Sequence, residues 1–146
     1  MKSNQPPPPV GLALRHAHLR AARIFAEELR PLGLENAPAG LIINLGHLGS
    51  LTQRQLMDVV GMDKSAMVRQ LDQLEARGLV RRRPHPTDRR AHAVELTEAG
   101  RRLLGRVLEA ADRAEERLLT GLAPERRAEF RELLLVVSEL GPSAQE

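Results

Sequence analysis

Between Arg81 and Arg90 the chain carries five arginines (Arg81, Arg82, Arg83, Arg89 and Arg90) against one carboxylate, Asp88. Guanidinium groups packed this densely repel one another unless an anion lies nearby, and phosphate is the natural candidate. Just upstream, Ser65, Arg69, Gln73 and Ala76 recur at helical spacing, opposite a stripe of Met67, Leu71 and Leu74. An outer face that is short-chained, polar and singly basic suits the major groove of duplex DNA, where Arg takes guanine bidentately and Gln takes adenine. The chain has no Trp and no Tyr. Recognition of single strands on an aromatic platform is therefore not expected. Plainer alternatives stand beside each assignment. Arg81 to Arg83 could be an ordinary solvated strand face, Asp88 with Arg90 a turn-stabilising pair, and Ser65 and Gln73 merely exposed polar residues.

The elements that must position these groups are legible around them. Thr52 followed three residues later by Gln55 forms a capping box, which opens a helix buried through Leu56, Val59 and Val60 and stopped by Gly61. Asp63 then caps a second helix, because the first amides of a helix lack internal partners and carry partial positive charge. Gly78 ends that helix, and Leu79 and Val80 turn the chain inward. Pro84, Pro86 and Asp88 demand a turn. From Ala91 to Leu96 the pattern alternates, with His92, Val94 and Leu96 on one side and Ala91, Ala93 and Glu95 on the other. The expected product is two helices across a glycine turn, followed by a β-hairpin with a basic tip.

In this order the residues resemble the MarR (multiple antibiotic resistance regulator) family of winged helix-turn-helix proteins. The resemblance rests on Leu51-Thr52-Gln53, on Asp63-Lys64-Ser65 through Arg69, on Leu74-Glu75-Ala76-Arg77-Gly78-Leu79-Val80, and on Asp88-Arg89-Arg90-Ala91 followed by Val94-Glu95-Leu96-Thr97-Glu98-Ala99-Gly100. It covers about a third of the chain, and its strength lies in the ordered set rather than in any one motif. What it implies is a dimer on duplex DNA, with the helix from Asp63 to Arg77 in the major groove and the wing tip in a minor groove. By the same analogy Arg90 enters that groove while Asp88 holds its guanidinium. A narrow minor groove concentrates negative potential, and an Arg held by a carboxylate loses less entropy on insertion. Ala66 and Val68 stand where members of the family often carry threonines, so methyl groups, suited to a thymine methyl, replace hydroxyls there.

Outside this segment the chain reads as helical. Pro9 to Leu29 carries Leu12, Leu19, Ile24, Phe25 and Leu29 before Pro31 and Gly33 break it; Pro38 to Leu48 is apolar apart from Asn44 and His47, which implies burial on most sides. From Glu98 the residues Leu103, Leu104, Val107, Leu108, Ala111 and Leu118 keep helical spacing to Gly121, and Pro124 starts a last helix with Phe130, Leu133, Leu134, Val137 and Leu140. Three such apolar stripes at the two ends are generous for a monomer of 146 residues. Interleaving with a second copy is the expectation, packing within one copy the alternative, and the resemblance assigns the first and last two helices to dimerisation.

The expected fold class is thus mainly α with a small β-hairpin wing (α+β). A disordered proline-rich leader over 1–9 precedes a single domain over 10–146, in which 10–37 and 98–140 are dimerisation helices and 38–97 the winged helix-turn-helix lobe. No apolar run is long enough to span a membrane, and Pro6 to Pro9 occupies the place a signal peptide's apolar core would take, so a cytoplasmic protein is expected. Zero cysteines excludes disulfides, thiolate metal sites and thiol-based peroxide sensing. The five histidines show no metal-ligand spacing, and neither a nucleophile-base pair nor a phosphate-cradling glycine loop occurs, so no metal, no cofactor and no enzymatic activity are expected.

These readings converge on a dimeric, sequence-specific DNA-binding transcriptional regulator, a repressor of a pseudo-palindromic operator. Candidate phosphate contacts are Arg54, Arg81, Arg82, Arg83 and Arg89; Ser65, Ala66, Arg69, Gln73 and Arg90, with Asp88, are the candidates for discrimination. The resemblance further implies release by a small anionic or phenolic effector held between the dimer helices and the DNA-binding lobe, where Arg15, His16, Asn44 and His47 are candidate ligands. A regulator without any effector, and a winged-helix module serving protein assembly, are the alternatives.

Overall fold

The computed structural model of the chain describes residues 6–88 and 90–139. Pro9, extended at φ −54 and ψ 144, leads directly into helix α1 (Val10–Leu29). A short 3-10 turn over Arg30–Leu32 and Gly33 at φ 63 end it, as the Pro31/Gly33 pair predicts. Then follow α2 (Asn36–Leu48), β1 (Leu51–Thr52), α3 (Gln53–Val60), α4 (Lys64–Ala76), β2 (Val80–Pro84), β3 (His92–Leu96), α5 (Glu98–Leu118) and α6 (Pro124–Val137). The sheet is antiparallel in the order β1-β3-β2. A mainly helical winged helix-turn-helix is the fold the sequence leads one to expect. Details differ from expectation: Val59, expected on the buried face of α3, is 49% exposed. Leu51 and Thr52 form a strand against Val94 and Ala93, and α2 buries only one face, through Ala39, Leu41, Ile42 and Leu45, while His47 and Leu48 are exposed.

The lobe between α2 and β3 is assembled by local chemistry. Thr52 Oγ1 accepts from the Gln55 amide at 3.1 Å while the Thr52 amide donates to Gln55 Oε1 at 2.8 Å, the reciprocal capping box of α3. Asp63 Oδ1 accepts from the Ala66 amide at 2.8 Å at the start of α4. Gly61 and Gly78, at φ 66 and φ 71, close the two helices in the left-handed conformation. Asp63→Ala is expected to lower stability by about 1 kcal/mol, measured in urea, with Asp63→Asn recovering most of it. An unshifted urea midpoint for the alanine variant would show that the cap contributes nothing.

The core lies where α2, α3, α4 and the sheet meet α5. Leu41, Ile42, Leu56, Met67, Leu71, Val94 and Val107 are all fully buried there. Burial of each such side chain contributes about 1.5–3 kcal/mol, which is what holds α4 at a fixed orientation. Helix α5 is joined to the lobe at its first turn. The Thr97 amide donates to the Leu79 carbonyl at 3.1 Å, and Thr97 Oγ1 donates to the Gly78 carbonyl at 2.6 Å while accepting from the Gly100 amide at 3.0 Å. Further along, α5 packs along α1. There Glu28 accepts from Arg113 at 2.9 Å and Arg117 at 2.7 Å, and these two hydrogen bonds hold its carboxyl below the usual carboxylate value.

The remaining apolar surface is concentrated on the terminal helices. Ile24 and Leu29 of α1 are buried, but Leu12 and Leu19 of the same predicted stripe are exposed. In α6 no residue is buried, and Leu133, Val136 and Val137 are 59–72% exposed. Leu140, expected to continue that stripe, lies outside the described residues.

Candidate nucleic-acid interface

Helix α4 separates its two faces as the spacing requires. Met67, Leu71 and Leu74 are buried, whereas Ser65, Arg69 and Gln73 are exposed on the other side, with Val68 beside them and Ala66 half-buried. Arg54, at the start of α3, is exposed as well. Neither Arg54 nor Arg69 forms an ion pair among the described residues, so both guanidinium groups remain available to an anion.

The arginine run does not behave as one group, because a strand sends successive side chains to opposite faces. Arg81 lies directly opposite Glu95 in the sheet, and Arg83 is one position further on the same face. Arg81 donates to Glu95 Oε1 at 2.5 Å, and Arg83 forms an ion pair with the same oxygen at 2.8 Å. The hydrogen bond from Arg81 holds the Glu95 carboxyl below its ordinary value against the opposing effect of burial, and the charges of Arg81, Arg83 and Arg101 reinforce it. Their side chains nevertheless stay 46% and 57% exposed. Glu95 therefore offsets the mutual repulsion of two arginines and keeps them extended toward solvent.

Arg82 faces the other way, onto the side of the sheet that carries Val80 and Val94. It bonds Asp72 and Glu75 of α4, each at 2.7 Å. Its expected place among the phosphate contacts is thus corrected: its guanidinium is taken up by two carboxylates inside the lobe. The alternation was readable from the sequence, in the odd-even pattern of 81, 82 and 83; the partners on α4 were not, because only the fold brings β2 against Asp72 and Glu75.

At the tip, Arg90 is exposed and its backbone amide donates to Asp88 Oδ1 at 2.9 Å. The Ala91 amide donates to the Asp88 carbonyl at 3.2 Å, and the His85 amide to the Ala91 carbonyl at 3.0 Å. Asp88 thus fixes the turn through the backbone of Arg90, whereas the expectation had it hold the guanidinium. Arg89 lies outside the described residues.

The four candidate effector ligands are not brought together. Arg15, His16 and His47 are exposed, and the Asn44 amide nitrogen donates within its own helix to the Gly40 carbonyl at 2.8 Å. None of them lines the cleft of about 420 Å³ between α1, α2 and α5, whose walls include His18, Phe25, Asn36, Ile43, Ala111 and Glu115. Asn36 anchors one wall by donating to the Ala22 carbonyl at 2.8 Å, and its side-chain oxygen has no protein partner. Asn36 was not singled out in the sequence and His18 was weighed there only as a metal ligand, because only the crossing of three helices makes them neighbours.

The model of the MarR family matches residues 32–91, from the end of the 3-10 turn to the wing. The chain is 31% identical to a probable transcriptional regulator from Pseudomonas aeruginosa, covering 88% of this chain and 96% of that one, with a TM-score of 0.77. The chain belongs to the MarR family. Wild-type MarR from E. coli in its apo form matches with a TM-score of 0.84 at 25% identity, covering 91% of this chain and 98% of that one. A mutant MarR from E. coli complexed with operator DNA matches with a TM-score of 0.77 at 26% identity, over 88% of this chain and 93% of that one. An uncharacterized HTH-type transcriptional regulator of Bacillus subtilis (strain 168), YdgJ, is 33% identical over 105 residues, 72% of this MarR-family chain. The chain spans 62% of the length of that curated relative.

Proposed function

We propose that this chain is a sequence-specific, DNA-binding transcriptional regulator that works as a homodimer in the cytoplasm, a repressor released from its operator by a small molecule. The observation that carries the reading is the exposed Ser65/Arg69/Gln73 face of α4 beside a hairpin that holds Arg81, Arg83 and Arg90 toward solvent. In this reading α4 enters the major groove, Arg54, Arg81, Arg83 and Arg89 contact phosphates, and Arg90 enters the minor groove at the flank. Ala66 and Val68 offer methyl groups to the bases. The E. coli relative solved with operator DNA supports the same use of the fold.

Dimerisation through residues 10–37 and 98–140 is supported by the apolar faces of α1 and α6. Leu12, Leu19, Leu133, Val136 and Val137 stay exposed on these helices, an apolar surface that a second copy would cover. A twofold axis sets the two α4 helices about one DNA turn apart, roughly 34–36 Å, and so selects a pseudo-palindrome. The cleft between α1, α2 and α5 supports the effector, with an apolar body against Phe25 and Ile43 and polar groups toward His18 and Asn36.

Selection from a random duplex library by the pure protein tests this. It should return a symmetric sequence with half-sites one turn apart, and recovery of unselected sequence would contradict the reading. In the same selection Arg69→Ala should relax the preference at one base pair per half-site by about 1–3 kcal/mol. An even loss across all sequences would make Arg69 a phosphate contact instead.

A further inference from the structure

The sheet places Arg82 where a charge is expensive. Strand alternation sets it beside Val80 and opposite Val94, both buried, and its own side chain is only 23% exposed. A guanidinium in such a place needs partners. Helix α4 supplies them from two successive turns: Arg82 Nη2 donates to Asp72 Oδ1 and Arg82 Nη1 to Glu75 Oε2, both at 2.7 Å. The other oxygen of Glu75 accepts from the Arg82 backbone amide at 3.3 Å. Glu75 thus grips the strand and the side chain together, while Asp72 holds the far end of the fork.

We propose that Arg82 is a positioning residue, a strut that sets the angle of the wing against α4 and so fixes the spacing between the major-groove and minor-groove contacts. Its consequence for DNA rests on the function proposed above; its consequence for the free protein does not. Two carboxylates one turn apart define both the rotation of α4 about its axis and its distance from β2. Bridging them takes the planar, multiply donating guanidinium, since an ammonium presents a single point charge. With the strut in place the wing is held before DNA arrives, and its ordering entropy is not lost on binding. With Arg82 neutralised, the hairpin still pairs through β2 and β3 and stays tied at its base by apolar contacts, by β1 and by the Thr97 bonds, but among the described residues no ion pair then braces β2 directly against the outer turns of α4.

The chain contains no cysteine, so single labels can be placed at will. Spin labels at Gln73→Cys and Thr87→Cys, diluted with unlabelled protein, report the distance from α4 to the wing tip within one copy. The strut predicts a narrow distance distribution in the parent and at least a twofold broader one in Arg82→Gln, at temperatures where both are folded by circular dichroism. It also predicts the same broadening in the charge-free triple variant Asp72→Asn, Glu75→Gln, Arg82→Gln. If the selected duplex binds, Arg82→Gln should weaken it roughly tenfold while the slope of log affinity against log salt stays as in the parent. An unchanged distance distribution overturns the proposal, and a slope reduced by about 0.9 would then identify Arg82 as a phosphate contact. Broadening in a protein whose parent binds no duplex leaves the strut standing and removes the DNA reading instead.

Discussion

Replacing Arg90 with alanine is expected to weaken operator binding roughly 30-fold, a loss of about 2 kcal/mol, with no change in melting temperature. The two halves of that expectation have different origins. The fold does not need the side chain: the Asp88 carboxylate holds the turn through the Arg90 amide, and the neighbouring bonds of Ala91 and His85 are backbone to backbone. An alanine keeps every one of them. DNA, on this account, does need it, because a narrow minor groove offers strong negative potential to a guanidinium and nothing to a methyl group. Fluorescence anisotropy on the selected duplex, with thermal melts alongside, separates the two effects. Unchanged affinity would remove the wing tip from the mechanism, and a lowered melting temperature would make Arg90 part of the fold.

The largest effect on stability is expected at Gly100. A methyl group there would overlap the Leu79 carbonyl oxygen and come within 3.3 Å of Leu96 Cδ2. That carbonyl cannot step aside freely, since it accepts the Thr97 amide that ties α5 to the end of α4. Alanine in place of glycine gains up to about 1 kcal/mol of helix propensity, but forcing backbone apart in a packed junction costs more. Gly100→Ala should therefore lose about 2–3 kcal/mol overall and melt roughly 5–10 °C lower at matched protein concentration. Gly105→Ala is the control, being in the same helix with nothing within 4 Å of an added methyl, and should melt no lower than the parent. Equal melting of the Gly100 variant and the parent would show that the α4–α5 junction has slack.

The parts of this molecule that were legible in its sequence are those decided within a few residues. The Thr52/Gln55 box, the Asp63 cap, and the turns at Gly61 and Gly78 involve backbone groups that only near neighbours can satisfy, so their residue types announce them. The exposed face of α4 was readable for a similar reason, from the period of Met67, Leu71 and Leu74. Strand β1 was not, because two residues carry no period and Leu51 becomes a strand only when Val94 pairs with it. The cleft was not readable, since residues considered one helix at a time cannot show which faces of α1, α2 and α5 converge. Arg82 is the instructive case. Counting charges put it with Arg81 and Arg83, while the alternation of a strand, applied one residue at a time, sends it to the opposite face.

The central claim is that a symmetric pair of these chains binds duplex DNA through α4 and the wing. Its most direct measurement is the affinity for the DNA upstream of the chain's own gene, taken by mobility shift over a range of salt concentrations, against a duplex of the same length with its half-sites scrambled. Regulators of this kind often control themselves, so that DNA is the place to begin. The account predicts one shifted complex holding two copies per duplex, an affinity that falls steeply with salt, and a loss of at least a hundredfold on scrambling, within the ratio typical of specific sites. Equal binding of both duplexes, or binding indifferent to salt, would contradict it.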